Sequence, residues 1–380
     1  MAKNLASKFA TQVDEMFKLG SKAEGVTGNS YDFTGVKTVK VYSFPVVPLG
    51  QYNENTVTQA YGGAPTIMER NVQEMTIEHS AAFTVAIRQL DRLEDEMKSD
   101  ASKQLARQID QAVIPEYDNY VFRKLASSAV ANGNYDSTAI TASNAYAQFL
   151  AAQEALGDAL APEDGRVCIC TYHFYNLLKQ GGFVRSGDSS QEMLKKGIIG
   201  MVDGVAVKPV PSSRLPIGCA AIFTHPYASV APKKLTDYVI HTNPVGFNGW
   251  IIEGLVCYDC FILNNKADGI FYLGGQSVLK RIVVNTANNS STSGNTIVHV
   301  LTPLDNVSGT NPNKWYYKTG TAKETVAAGD AVTGWTAMSA NSADITPTNT
   351  TDTVVTVVEA AYDGSAYKVA GVGYSLINRA

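Results

Sequence analysis

Residues 91–131 carry the pattern that most limits how this chain can fold. Leu93, Met97, Ala101, Leu105, Ile109 and Val113 fall four apart on one stripe, while Lys98, Lys103, Arg107 and Asp110 occupy other faces. This predicts a long amphipathic helix whose stripe another layer must cover, and strands near 255–263 and 268–273 are expected to form that sheet. Pro115 lacks an amide donor and clashes with the preceding turn, so a kink or break is expected between Val113 and Glu116. The helix then resumes through Tyr117, Val121 and Leu125 and stops at Asn132-Gly133-Asn134.

Ahead of the helix, Leu5, Phe9, Val13 and Phe17 predict a short helical arm over 4–19, followed by breakers at Gly20, Gly25 and Gly28. The β-branched alternation from Val36 to Phe44 predicts a strand, ended by Pro45 and Pro48. A polar stretch, Gln51 to Pro65, separates it from a second extended run, Thr66 to Ile87. Two extended segments with a polar tip predict a projecting hairpin, and its tip has too few apolar residues to form a core alone.

Behind the helix, residues 143–273 alternate between helix and strand signals. Helices are predicted at 143–157, 172–180 and 189–197, and strands at 166–171, 204–210, 219–224, 237–241, 250–263 and 268–273, which points to a mixed α/β layer. Residues 281–380 change character: they hold 16 Thr, 10 Asn and 13 charged residues, against 53 charged residues in 1–280. Short β runs at Ile297 to Leu301, Trp315 to Lys318, Val354 to Val358 and Tyr367 to Val372 predict a separate small all-β domain with its boundary near Gly274-Gly275. A domain with its own core is expected to survive excision from the rest of the chain.

The composition excludes several classes. With 45% hydrophobic and 17% charged residues, the 380-residue chain is neither disordered nor collagen-like. Its longest apolar runs fall short of the ~18 residues that suggest a membrane span, so no membrane partner is expected. A net charge of −4 argues against a dedicated nucleic-acid reader. Five cysteines and no recognisable signal peptide predict a reducing cytoplasm, which makes the sequons at Asn288, Asn289, Asn306 and Asn349 incidental.

Chemical motifs are sparse. Cys257 and Cys260 lie in a predicted strand, where side chains three apart point to opposite faces, so they are read as structural. Cys168 and Cys170 share a face but have no accompanying ligand pair at zinc spacing. The histidines His79, His173, His225, His241 and His299 form no metal motif, and the chain has no P-loop, dinucleotide fingerprint or nucleophile elbow. Asp91, Glu94, Asp95 and Glu96 suit the positive start of the long helix. Lys195-Lys196 and Lys233-Lys234 read as solvated faces or subunit contacts. No catalytic residue, metal site or cofactor is expected.

The order of arm, projecting hairpin, long helix and α/β domain resembles the major capsid proteins of tailed bacteriophages with the Hong Kong 97 fold. So do the segments Gln191–Gly197 (QEMLKKG), Val202–Val207 (VDGVAV), Val210–Pro216 (VPSSRLP) and Asn243–Gly249 (NPVGFNG). The resemblance covers about residues 1–275. It implies an α+β fold with an amino-terminal arm and first strand (1–45), an extended loop (46–82), a peripheral domain (83–142 and 250–275) and an axial domain (143–249). Residues 281–380 would be an appended immunoglobulin-like module, facing outward from the shell and dispensable for making it. It further implies self-assembly into hexamers and pentamers of an icosahedral head, with Gln51, Tyr52, Asn53, Tyr61, Met68 and Arg70 of the extended loop at subunit interfaces. Leu93, Met97, Leu105 and Ile109 would be the core face of the spine helix. The implied partners are a separate scaffolding protein, a portal protein and encapsidated double-stranded DNA bound without sequence specificity. The implied location is the virion capsid, assembled in the host cytoplasm. No lysine–asparagine crosslink is carried over, because residues 51–65 contain no lysine. A nanocompartment shell shares this fold and is the alternative; a soluble α/β enzyme would lack a nucleophile–base pair or a cofactor loop.

Overall fold

The computed structural model describes residues 20–28, 31, 33, 36–44, 46, 49, 52, 54–55, 70–89, 101–180, 200–288, 295–307, 310–346 and 351–377. The predicted arm helix at 4–19, the helix at 189–197 and the acidic cluster from Asp91 to Glu96 lie outside these residues. So do Leu93 and Met97 of the stripe and the segment Gln191–Gly197.

Strands β1 (Thr38–Ser43) and β2 (Asn71–Thr76) pair antiparallel, from Thr38 opposite Thr76 to Ser43 opposite Asn71. The expected second run divides at Ile77–His79: β3 (Ser80–Arg88) leaves the hairpin and pairs with β11 (Gly249–Tyr258), which also pairs with β10 (Lys233–Thr242). Met75, Ile77 and His79 all turn inward, so the period-two alternation runs on unbroken and only the pairing partner changes, from β1 to β11.

The long helix is described from Ala101. Helix α1 (Ala101–Gln108) passes through a π-helical turn, Ile109–Val113, into α2 (Ile114–Ala131). Of the expected kink or break between Val113 and Glu116, the break does not occur: the helix is continuous, and its regular bonding is interrupted at the π-turn just ahead of Pro115. The Ile114 amide donates to the Ile109 carbonyl, five residues back, and this wider turn absorbs the misfit of a proline that donates nothing.

A ten-stranded sheet carries the rest. Its path runs β17 (Thr336–Met338), β16 (Lys314–Gly320), β19 (Val354–Tyr362), β20 (Tyr367–Leu376), β13 (Ile270–Arg281), β8 (Ile217–Thr224), β5 (Val167–Thr171), β7 (Val205–Val210) and β6 (Met201–Val202). The short strand β4 (Tyr135–Asp136) pairs beside β13, while β9 (Ser229–Val230) and β12 (Phe261–Ile262) pair with each other apart from this sheet. Near-continuous apolar strands are what a sheet covered on both faces requires, and here successive residues serve opposite layers. Ile169, Ile222, Ile270 and Tyr272 pack against Tyr117, Val121, Phe122 and Leu125 of α2. Cys168, Cys170, Ala221, Phe223 and Leu273 pack instead on Phe149 and Leu156 of α3 (Ala145–Asp158) and on Phe174 and Leu178 of α4 (Tyr172–Gln180). Each fully buried side chain of this size contributes about 1.5–3 kcal/mol.

The strands expected to form one sheet under the helix belong to two: β11 lies in the three-stranded sheet and β13 in the ten-stranded one. Between them the chain turns at Asp259, whose carboxylate accepts from the Cys260 amide (2.8 Å), the Glu78 amide (3.2 Å) and the Tyr120 hydroxyl (2.9 Å). The segment Val202–Val207 forms the β6–β7 hairpin, and both turn residues, Asp203 (φ 46°) and Gly204 (φ 79°), take the left-handed conformation such a two-residue turn needs.

Beyond β13, β14 (Val284–Asn288), β15 (Thr296–Val300) and β18 (Ser342–Ile345) make a second three-stranded sheet. It packs Val298, Val300 and Ile345 on Trp315, Val355 and Val357. Among the described residues beyond β13 the regular elements are all strands. Strand β13 nevertheless runs straight through Gly274-Gly275, where an irregular register between Leu273 and Leu279 accommodates the glycines.

Candidate assembly interface

The base of the β1–β2 hairpin is held to the body. Met75 and Ile77 pack with Phe33, Val230 and Leu263, and Gln73 donates to the Ile262 carbonyl (2.7 Å) while accepting from the Asn264 amide (3.1 Å). Farther out the cover ends. Tyr42, Phe44, Val46, Leu49 and Val72 are 48–103% exposed, large apolar side chains that no buried cluster among the described residues includes. Across the stalk, Lys40 pairs with Glu74 at 2.5 Å, in the open. Of the extended-loop residues, Tyr52 and Arg70 are exposed, while Gln51, Asn53, Tyr61 and Met68 lie outside the described residues. Leu105 and Ile109 of the stripe are half-buried in the single chain.

The entry of the amino-terminal segment is pinned on α2 by a buried ion pair. Asp118 accepts from Arg214 Nη1 (2.6 Å), Ser21 Oγ (2.6 Å) and the amides of Lys22 (2.9 Å) and Ala23 (3.2 Å). Arg214 also donates to the Gly20 carbonyl (2.7 Å). Arg214 sits in the Val210–Pro216 segment, at the end of a 3-10 turn, Ser212–Arg214, that delivers its side chain inward.

A second buried cluster joins four parts of the chain. Lys280 of β13 is 1% exposed, and its Nζ donates to Asp305 Oδ1 (2.8 Å), Glu359 Oε2 (2.9 Å) and the Pro303 carbonyl. Arg123 of α2 grips both oxygens of Asp305, through Nη2 at 2.9 Å and through Nη1. Glu359 Oε1 accepts from the Asp305 amide (2.8 Å) and Asn313 Nδ2 (2.7 Å). Burial alone would lower the Lys280 ammonium's pKa, but Glu359 and Asp305 beside it raise it. Asp305 is held well below the usual carboxylate range by Arg123 and Lys280, against the effect of its burial. His79 stacks on Tyr120 at 4.7 Å and bonds the Tyr258 hydroxyl at 3.0 Å; burial lowers its pKa and keeps it neutral. Nearby, Glu116 lines a groove of about 460 Å³ with Phe83, Val113, Leu301 and Trp315, and burial pushes its carboxyl up to about 7.

The remaining motifs are structural. None of the five cysteines is in a disulfide, and all but Cys257 are buried. Burial raises the Cys219 thiol and pushes Cys260 up to about 12. Among the described residues no group of three His, Cys, Asp or Glu is placed to hold a metal, and no helix is long and apolar enough to cross a membrane. Lys233 of the second basic pair lies over the Tyr117 ring at 5.3 Å. His79, Arg123, Lys280, Asp305 and Glu359 carry no local sequence signal that would have marked them as one cluster.

No protein-family model matches the sequence, and no curated protein is similar to it. The fold, in contrast, matches solved structures over most of their length. A structure from Mycobacterium phage Che8 superposes with a TM-score of 0.53 at 15% identity, over 72% of this chain and 98% of the other. The capsid structure of Cyanophage P-SCSP1u gives 0.54 at 14% identity, over 71% and 93%. The mature capsid of bacteriophage PhiM1 gives 0.55 at 12% identity, over 71% and 91%. This chain shares the fold of these phage capsid structures.

Proposed function

We propose that this chain is a major capsid protein that self-assembles into the hexamers and pentamers of an icosahedral phage head enclosing double-stranded DNA. The observation that carries the reading is the β1–β2 hairpin arm. Its outer half exposes Tyr42, Phe44, Val46, Leu49 and Val72, and leaving that much apolar surface in water is unfavourable by about 25 cal/mol per Å². A neighbouring subunit supplies the missing cover, and heterologous contacts of this kind close into rings when repeated. The net charge of −4 suits a container that encloses DNA without gripping it. In this reading 46–82 is the extended loop, 83–142 with 250–275 the peripheral domain, and 143–249 the axial domain. A scaffolding protein directs assembly in the host cytoplasm, a portal protein occupies one vertex, and the finished shell is the virion capsid.

The test is a charged arm. Tyr42→Asp/Phe44→Asp, co-expressed with the scaffolding protein, should melt like the parent as an unassembled subunit yet form no shells by electron microscopy. Parental shells from this variant would overturn the proposal.

A further inference from the structure

The match to other capsid folds covers 71–72% of this chain, and residues 281–380 make up a similar remainder, 100 of 380. Sequence alone makes those residues a detachable passenger. The junction argues otherwise. We infer that the carboxy-terminal module is an internal brace: it locks the long helix α2 to strand β13 through a shared buried charge cluster, so that module and body open and close as one unit.

Three features of the junction support this. The first is the backbone. One half of β13 pairs antiparallel with β8, from Ile270 opposite Thr224 to Gly274 opposite Cys219, and its far end pairs parallel with β20, Lys280 opposite Gly371 and Arg281 opposite Val372. A single strand is thus a member of both modules, and the Ile282 amide continues the ladder to the Val372 carbonyl at 3.0 Å. The approach is close enough to require glycine: a Cβ on Gly371 would lie 2.9 Å from Lys280 Cβ, and one on Gly373 would lie 2.3 Å from the Ile282 carbonyl oxygen.

The second feature is how the charges are shared out. Both cations, Arg123 and Lys280, come from the helix and the shared strand, while both anions, Asp305 and Glu359, come from the module. Asp305 touches both cations, which makes it the link between α2 and β13. Loss of one member leaves its partner buried and uncompensated, a situation far more costly than an exposed broken pair. The third feature is the surrounding layer. His79 Nδ1 lies 3.4 Å from the Asp305 carbonyl oxygen and its other nitrogen bonds Tyr258, so the module also reaches the three-stranded sheet through a neutral, stacked imidazole.

The experiment is hydrogen exchange on the full-length, unassembled subunit carrying Asp305→Asn/Glu359→Gln, two changes confined to the module. A brace predicts that amides of α2, residues 120–131, exchange at least tenfold faster than in the parent, together with those of β19 and β20. Loss of protection in the module alone, with α2 within twofold of the parent, would make the module a passenger and overturn the inference; so would no change anywhere. If the double variant does not fold, Asn313→Ala, which removes one bond to Glu359, decides by the same comparison. Faster exchange in α2 then supports the brace, and unchanged α2 refutes it.

Discussion

Replacing Asp118 by alanine removes the carboxylate that fastens residues 21–23 and Arg214 to α2. Four donors lose their acceptor: Arg214 Nη1, Ser21 Oγ and the Lys22 and Ala23 amides. Hydrogen bonds to a charged group contribute about 1.5–3 kcal/mol each when measured singly. Their sum overshoots, because all four share one buried carboxylate whose own desolvation opposes them. The appropriate scale is the cost of breaking a buried pair from one side, about 3–5 kcal/mol, since the Arg214 side chain is 6% exposed and Asp118 fully buried. Urea unfolding of the unassembled subunit measures this loss. Exchange of the Lys22 and Ala23 amides reads it locally, with at least a hundredfold acceleration expected. The double variant Asp118→Leu/Arg214→Met, which leaves no lone charge, should recover most of the stability. A loss below about 1 kcal/mol with unchanged exchange at 22 and 23 would refute the argument that this pair anchors the amino-terminal segment.

Glu116 gives a pH prediction. Its folded-state pKa, about 7, lies above the ordinary 4.5, so its contribution to stability is fully present below 4.5 and is lost as pH rises through 7, by an amount on the order of 3 kcal/mol. The difference in stability between Glu116→Gln and the parent should therefore grow in favour of the variant from pH 5 to pH 8; a difference independent of pH would remove the assignment. In the core, Phe122→Ala should cost about 3–5 kcal/mol in the same urea assay, and Leu105→Asp, at a half-buried site, distinctly less; equal losses would contradict the packing described. A thiol reagent at pH 8 should leave Cys168, Cys170, Cys219 and Cys260 unmodified in the native subunit and reach them only on denaturation; rapid labelling of any of these four would show the sheet to be open.

Strand positions were largely legible because a doubly covered sheet demands near-continuous apolar runs, and Val167–Thr171, Val205–Val210 and Ile217–Thr224 supply them. The hairpin was legible in outline, but the extended run over 66–87 hid a change of partner at Ile77–His79, since the sequence continues with residues that suit either sheet. Pro115 signalled trouble without saying how it would be met. A π-turn is set by hydrogen bonds over five residues, which no residue type announces. The misleading feature was Gly274-Gly275, which looks like a linker. Glycines also serve where a strand shifts register, and only the partners of β13 distinguish the two uses. The charge cluster was not legible at all. Arg123 and Asp305 are 182 residues apart, and each looks by itself like an ordinary surface charge.

That separation also bears on the order in which the subunit takes shape. Chain synthesis delivers α2 and the first half of β13 long before Glu359 and β20, so Lys280 meets its second anion only when β19 emerges. Contacts this distant in sequence close late, because the intervening loop must first be ordered. A nascent chain still on the ribosome therefore holds β13 unfinished along its far edge. The seam becomes complete only after Glu359, 79 residues beyond Lys280, and then β20 have been made.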